Sequence, residues 1–169
     1  AVLHLLAMAH SIGIDLDLDD FTLPDDLHHV LDPTGNFPDS FSQITIDGTV
    51  DLDQPLNRNV LTIQPRPTQI TLNGMTITWG ALQLRGKGEV TVDRSGVPTG
   101  RITLSAQNWR DMIGLAVNAG LLDQGLANTA QNMGALLAGG SAELSVPITF
   151  KNGLMSLGPL PLGPAPRLF

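Results

Sequence analysis

Cysteine and tyrosine are absent from this chain of 169 residues, and aromatic residues make up only 4% of it. Without cysteine there are no disulfides, thiolate metal sites, iron–sulfur clusters or cysteine nucleophiles. Charge is scarce too: 15% of residues are charged, below the roughly 25% of an average soluble domain. The hydrophobic share of 42% is nevertheless too high for a disordered chain. No apolar run approaches the roughly 20 residues that a membrane-spanning helix needs. Lysine and arginine are missing altogether from residues 1–53, and the net charge of −7 opposes nucleic acid as the main partner.

What is present is one domain's worth of chain, residues 1–169, long enough to bury a core. Its charge is divided. Residues 1–53 hold eleven aspartates, whereas the nine basic residues all follow residue 53, where only five acidic ones remain. The chain opens on Ala1 rather than methionine, so the expectation is a processed product or fragment that has lost an upstream signal or anchor. Its first ten residues are apolar but lack the basic lead and length of a signal.

Most of the chain alternates as strands do. Ile44, Ile46, Val50 and Leu52 share one face while Thr45, Asp47, Thr49 and Asp51 share the other. Asn73-Gly74, between two β-rich runs, predicts a tight hairpin turn. From Trp79 to Asp93 the alternation reads as one long strand, bent at Gly86 and Gly88. Residues 108–138 change to helical spacing. Asn108 predicts an N-cap, with Trp109, Met112, Ile113, Ala116 and Val117 on one face. A second helix from Asp123 carries Leu122, Leu126, Met133, Leu136 and Leu137 as its apolar stripe. Residues 142–157 return to a strand hairpin, and four prolines from Pro159 onward predict an extended, polyproline-like tail.

Short connections require antiparallel pairing, so the expected class is α+β: a curved antiparallel sheet of long hairpin-connected strands packed on two amphipathic helices. Four parts are expected within the single domain: an acidic part at 1–40, strands at 41–107, helices at 108–138, and a hairpin with a proline-rich tail at 142–169.

Two patterns are candidates for function. Asp15, Asp17 and Asp19 alternate on one strand face, and carboxylates so placed could hold calcium. As a calcium loop the pattern fails, because Asp20 stands where glycine is needed and Asp26 where a bidentate glutamate is expected. A solvated strand face accounts for the same alternation. His4, His10, His28 and His29 could extend this to a metal-dependent hydrolase, although adjacent histidines are a poor chelating pair. The second pattern is the apolar stripe of Trp109, Met112, Ile113, Leu126 and Met133. It is either plain core or one wall of a groove for an acyl chain or lipid. No catalytic residue is assigned: Ser95 suits a turn, there is no Gly-x-Ser-x-Gly elbow, and Gly86-Lys87-Gly88 lies within a strand pattern.

Residues 88–109, reading GEVTVDRSGVPTGRITLSAQNW, together with the ending GPLPLGPAPRL, are where a resemblance lies. They resemble an uncharacterised alphaproteobacterial family, domain of unknown function 2125, over residues 40–169. The glycine-punctuated strands also resemble the larger AsmA-type envelope proteins associated with lipid handling. The resemblance implies a periplasmic domain, or one anchored to the inner membrane and facing the periplasm, whose partners are lipids or envelope proteins. It supplies no catalytic residues. The expected function is non-enzymatic binding or assembly without a cofactor, and the competing one is calcium-dependent or other metal-dependent activity at the aspartates.

Overall fold

A computed structural model describes residues 2–56 and 64–169. The described chain builds one open sheet of nine antiparallel strands with three helices, a mainly-β member of the α+β class. Chain order and sheet order coincide. The strands are β1 (Val2–Ala7), β2 (Ser11–Thr22), β3 (Ser40–Leu52), β4 (Pro67–Trp79), β5 (Leu82–Val92), β6 (Pro98–Gln107), β7 (Glu143–Lys151), β8 (Leu154–Leu157) and β9 (Leu160–Pro164). Helix α1 (Asp25–Leu31) lies between β2 and β3, while α2 (Trp109–Asn118) and α3 (Gln124–Ala138) lie between β6 and β7.

The register keeps one face apolar from edge to edge. Leu5 faces Ile14, Ile46 faces both Leu16 and Met75, Ile77 faces Leu84, and Leu104 faces Val146. The opposite face takes Asp15, Asp17, Thr45, Thr76, Arg85, Thr103 and Ser145. Period-2 alternation alone imposes this division.

Several sequence expectations are corrected. Asn73-Gly74 is no hairpin turn. It sits in the middle of β4, where the register with β3 and β5 shifts, so the extra residue is taken up as a bulge. The turn falls instead at Gly80-Ala81, which ends the supposed continuous strand from Trp79 to Asp93; Gly80 has φ +55°, the backbone conformation that glycine tolerates best. Asn108 begins α2 without capping it: its backbone is left-handed, and its side-chain amide donates to the Ala81 carbonyl at 2.6 Å. Asp123 does cap α3, its Oδ1 accepting from the Leu126 N–H at 2.9 Å. The proline-rich tail is extended, as expected, and its Leu160–Pro164 part joins the sheet ladder by pairing with β8. Helix α1 was not expected at all.

Gly86 and Gly88 serve close packing. A methyl on Gly86 would meet Met75 Cε at 3.0 Å and Leu104 Cδ2 at 3.2 Å, so neighbouring side chains already occupy its place. Gly88 faces Ile102 across the β5–β6 pair, and Gly100 faces Val90.

The tightest core is at one end of the sheet, where Leu23, Trp79 and Leu82 are buried together with Phe37, Phe41, Met112 and Leu115 packed around them. The Trp79 indole donates to the Pro38 carbonyl at 2.7 Å, and Phe37 and Phe41 each lie 5.1 Å from it.

Candidate functional site

Helices α2 and α3 pack on each other and reach the sheet at β5 and β7 respectively. Between them and the apolar face lies a cavity of about 280 Å3. Leu84, Leu104, Ala106, Leu144, Val146, Leu157 and Leu160 form its sheet wall, and Trp109, Met112, Ile113, Ala130 and Met133 face them from the helices. No lining residue carries a charge.

Trp109 anchors this arrangement and is only 2% exposed. Its ring lies against Gly134 of α3, where a methyl group would come within 2.6 Å of Cζ3. The indole N–H donates to the Ser141 carbonyl at 3.4 Å, and the Arg110 guanidinium stands 4.3 Å from the ring centre. The small side of α3 is thus the buried one, with Ala127 and Gly134 closed off and Leu136 84% exposed. Of the stripe expected for this helix, Leu122, Met133 and Leu137 do line the cavity, whereas Leu126 and Leu136 do not.

Of the five stripe residues singled out in the sequence, Trp109, Met112, Ile113 and Met133 line the cavity, whereas Leu126 does not. Sequence reasoning missed the sheet wall, because a strand gives no sign of which span of its apolar face a distant helix will meet. It also missed Ala130 and Gly134. Their spacing from Ala127, three and seven residues, is the signal of a helix face that lets another element come close.

None of the residues lining the cavity comes from β1–β4. Among the apolar side chains that β2–β4 place on this face, Trp79 is buried, and Ile12, Ile14, Leu16, Ile46, Val50, Ile70 and Leu72 are half-buried.

The other face holds a polar trough of about 480 Å3. Asp15, Asp17 and Asp47 stand toward one side of it, Arg85 and Lys87 toward the other, with Thr45, Thr76, Thr103 and Ser105 contributed by the strands. Arg85 Nη2 and Glu143 Oε1 are 3.3 Å apart, both about half-exposed, a pair worth at most about 1 kcal/mol.

Asp15, Asp17 and Asp19 all project from this face of β2 and are exposed, with Leu16 and Leu18 behind them. Among the described residues no three His, Asp or Glu side chains are gathered closely enough to hold a metal. Asp15 does face a second carboxylate, Asp47, across the β2–β3 pair. Like charges placed opposite each other destabilise a sheet. Asp15→Asn is therefore expected to raise stability by about 0.2–1 kcal/mol. Millimolar calcium is expected to leave the melting temperature of the unmodified chain where it was, as read by differential scanning fluorimetry. A calcium-dependent rise that disappears when Asp15, Asp17 and Asp19 all become asparagine would establish a cation site instead.

His28 and His29 do point apart. The His28 side chain is 14% exposed and meets Trp79 edge-on at 6.0 Å, with its Nε2 3.7 Å from Asp39, whereas His29 is exposed. Asp32, 2% exposed, organises the loop after α1. Burial opposes its ionisation, but the Phe37 N–H at 2.6 Å, the Thr34 hydroxyl at 2.9 Å and the nearby His28 together hold its carboxyl below the usual range. Ser95 belongs to a turn: its hydroxyl donates to Asp93 at 2.6 Å, as do the Ser95 and Val97 amides at 2.8 and 3.0 Å. These bonds hold the Asp93 carboxyl below its ordinary value.

No helix among the described residues is long and apolar enough to cross a membrane. A family model described as an uncharacterised protein conserved in bacteria, DUF2125, matches residues 2–166. No curated protein and no solved structure matches.

Proposed function

We propose, on the premise that the chain belongs to the bacterial DUF2125 family, that it is a non-catalytic binding domain of the cell envelope holding an acyl chain in the cavity under α2 and α3. The observation that carries this reading is the wall: some 280 Å3 of space lined by uncharged, carbon-rich residues from both the helices and the sheet. Such a lining offers water few hydrogen-bond partners, so hydrocarbon can displace water from it at little cost. Ligand sites are typically concave and mostly apolar, as this one is. An antiparallel sheet with helices beside one end of its apolar face suits such a role, since sheet and helices supply opposite walls. The periplasmic setting rests on the family resemblance, and a lipid is the apolar ligand that an envelope offers in quantity.

The test is native mass spectrometry of the purified chain followed by organic extraction, then displacement of a fluorescent fatty acid. A co-purifying fatty acid or phospholipid is expected. Ala130→Phe places a ring into the cavity and is expected to weaken fatty-acid binding about tenfold or more, equivalent to about 1.4 kcal/mol, while the domain remains folded. A chain that binds no fatty acid, or an Ala130→Phe variant that binds it as well as before, would refute the reading.

A further inference from the structure

The polar trough owes its shape to the order of long and short side chains across the strands. Two rows of paired residues cross this face side by side. One runs Asp17, Thr45, Thr76, Arg85 from β2 to β5. The other starts at Asp15 and Asp47, passes the β4 bulge at Asn73-Gly74, and reaches Lys87. Each row begins in carboxylate, is low in the middle and ends in a cation on β5. Gly74 supplies no side chain, and nothing lies within 4 Å of where one would begin. The 480 Å3 trough is this dip, with half-buried Thr45 and Thr76 as its floor and exposed charges as its walls.

The aspartates alone would be no more than a solvated strand face. What sets this place apart is that opposite charges face each other and are kept apart. Asp47 and Lys87 stand two strand steps from each other, roughly 10 Å. Among the described residues, Asp15, Asp17 and Asp47 form no ion pair with a lysine or arginine, and Lys87 forms none with an acid. Arg85 turns the other way, to Glu143 on β7. Asp47 Oδ1 accepts from the Asn73 side-chain amide at 3.1 Å, a neutral donor that leaves its charge in place. The repulsion between Asp15 and Asp47 costs the sheet stability, and a bound cation would turn that cost into attraction.

We infer that the trough binds a short, extended zwitterion, its ammonium against Asp15 and Asp47 and its carboxylate or phosphate against Lys87. Length selects the ligand. Charge-assisted contacts of about 2.8 Å at each end leave about 4 Å or more between the ligand's own charges. An α-amino acid, whose two charges share one carbon, is too short. Two extended residues span up to about 7 Å, so a dipeptide reaches both walls, as does phosphoethanolamine. The threonine hydroxyls of the floor supply partners for the amide or ester oxygens in between.

Isothermal titration calorimetry of the unmodified chain with alanylalanine and with phosphoethanolamine tests this. At least one is expected to bind, with a dissociation constant of about 1 mM, and the one that binds distinguishes a peptide source from a lipid headgroup. Free alanine and N-acetyl-alanylalanine amide are expected not to bind. Lys87→Met and Asp47→Asn are each expected to weaken binding about tenfold. Both positions are exposed, and Asp47→Asn relieves the repulsion with Asp15, so both variants keep the fold, as circular dichroism will show. Silence of both probes would overturn the inference, as would equal binding of the blocked peptide or unaltered binding by either variant. The trough and the acyl-chain cavity lie on opposite faces of the sheet, so this inference and that reading fail separately.

Discussion

Trp109→Ala is expected to cost about 3–5 kcal/mol, the range for truncating a large buried aromatic. A domain of this size is stable by only about 5–15 kcal/mol in all, so the variant will be on the verge of unfolding. The physical reason is that the indole does three things at once. It fills the space beside Gly134, its N–H answers the Ser141 carbonyl, and it forms part of the cavity wall. Urea unfolding monitored by circular dichroism gives the size of the loss. Its mechanism is tested by a cycle with Gly134→Ala. In the unmodified chain that methyl collides with the ring, and the substitution is expected to destabilise. Beside Trp109→Leu the obstacle is gone, and the same methyl should cost little or even help, as alanine favours helix over glycine. A coupling of about 0.5–3 kcal/mol is expected for residues in contact. Additive costs would mean that the two residues do not share that space.

Gly88→Ala is expected to be nearly as damaging, at about 3 kcal/mol or more, although it adds a single methyl group. Gly88 has φ +156°, a conformation that side-chain-bearing residues rarely adopt, and the added carbon would lie 2.6 Å from Ile102 Cα on β6. The obstruction is backbone, which cannot rotate away. Gly114→Ala is the control: nothing lies within 4 Å of its missing side chain and its φ is ordinary, so the helix propensity of alanine should stabilise α2 by about 0.5–1 kcal/mol. Urea midpoints at unchanged slope make the comparison. A Gly88→Ala variant as stable as the unmodified chain would show that β5 and β6 can separate without loss.

The sheet was legible in the sequence because a half-buried strand writes its burial with period 2, and that pattern runs clearly through residues 44–52, 82–92 and 143–150. The turn between β4 and β5 was not. Asn73-Gly74 has the composition of a tight turn, but a bulge accepts the same residues, and nothing local tells the two apart. Gly80-Ala81 turns instead because the Asn108 side chain and the Trp79 core meet there, a condition set by residues far along the chain. Helix α1 is only seven residues long, shorter than periodicity can reveal, and it is held by its place beside the Trp79 core. The cavity was half visible: the helix face containing Trp109, Met112, Ile113 and Met133 could be read from spacing, whereas its sheet wall depends on where two helices land. Leu136 was misplaced on the buried face because hydrophobicity marks what could be covered, while Ala127 and Gly134 mark where the backbone actually approaches.

The coincidence of chain order with sheet order has a consequence for how the molecule is made and how it varies. Each strand leaving the ribosome finds its partner already outside, as the strand before it in the chain. The sheet can therefore grow by successive closures between chain neighbours, with helical detours through α1 before β3 and through α2 and α3 before β7. Strands β1 and β9 stand at opposite ends of the strand order, separated by eight inter-strand steps, roughly 38 Å along an untwisted sheet. A fold assembled in this way has no keystone strand. Adding or removing a hairpin between two neighbours would widen or narrow the wall without rethreading it, so the natural unit of variation in such a chain is the hairpin.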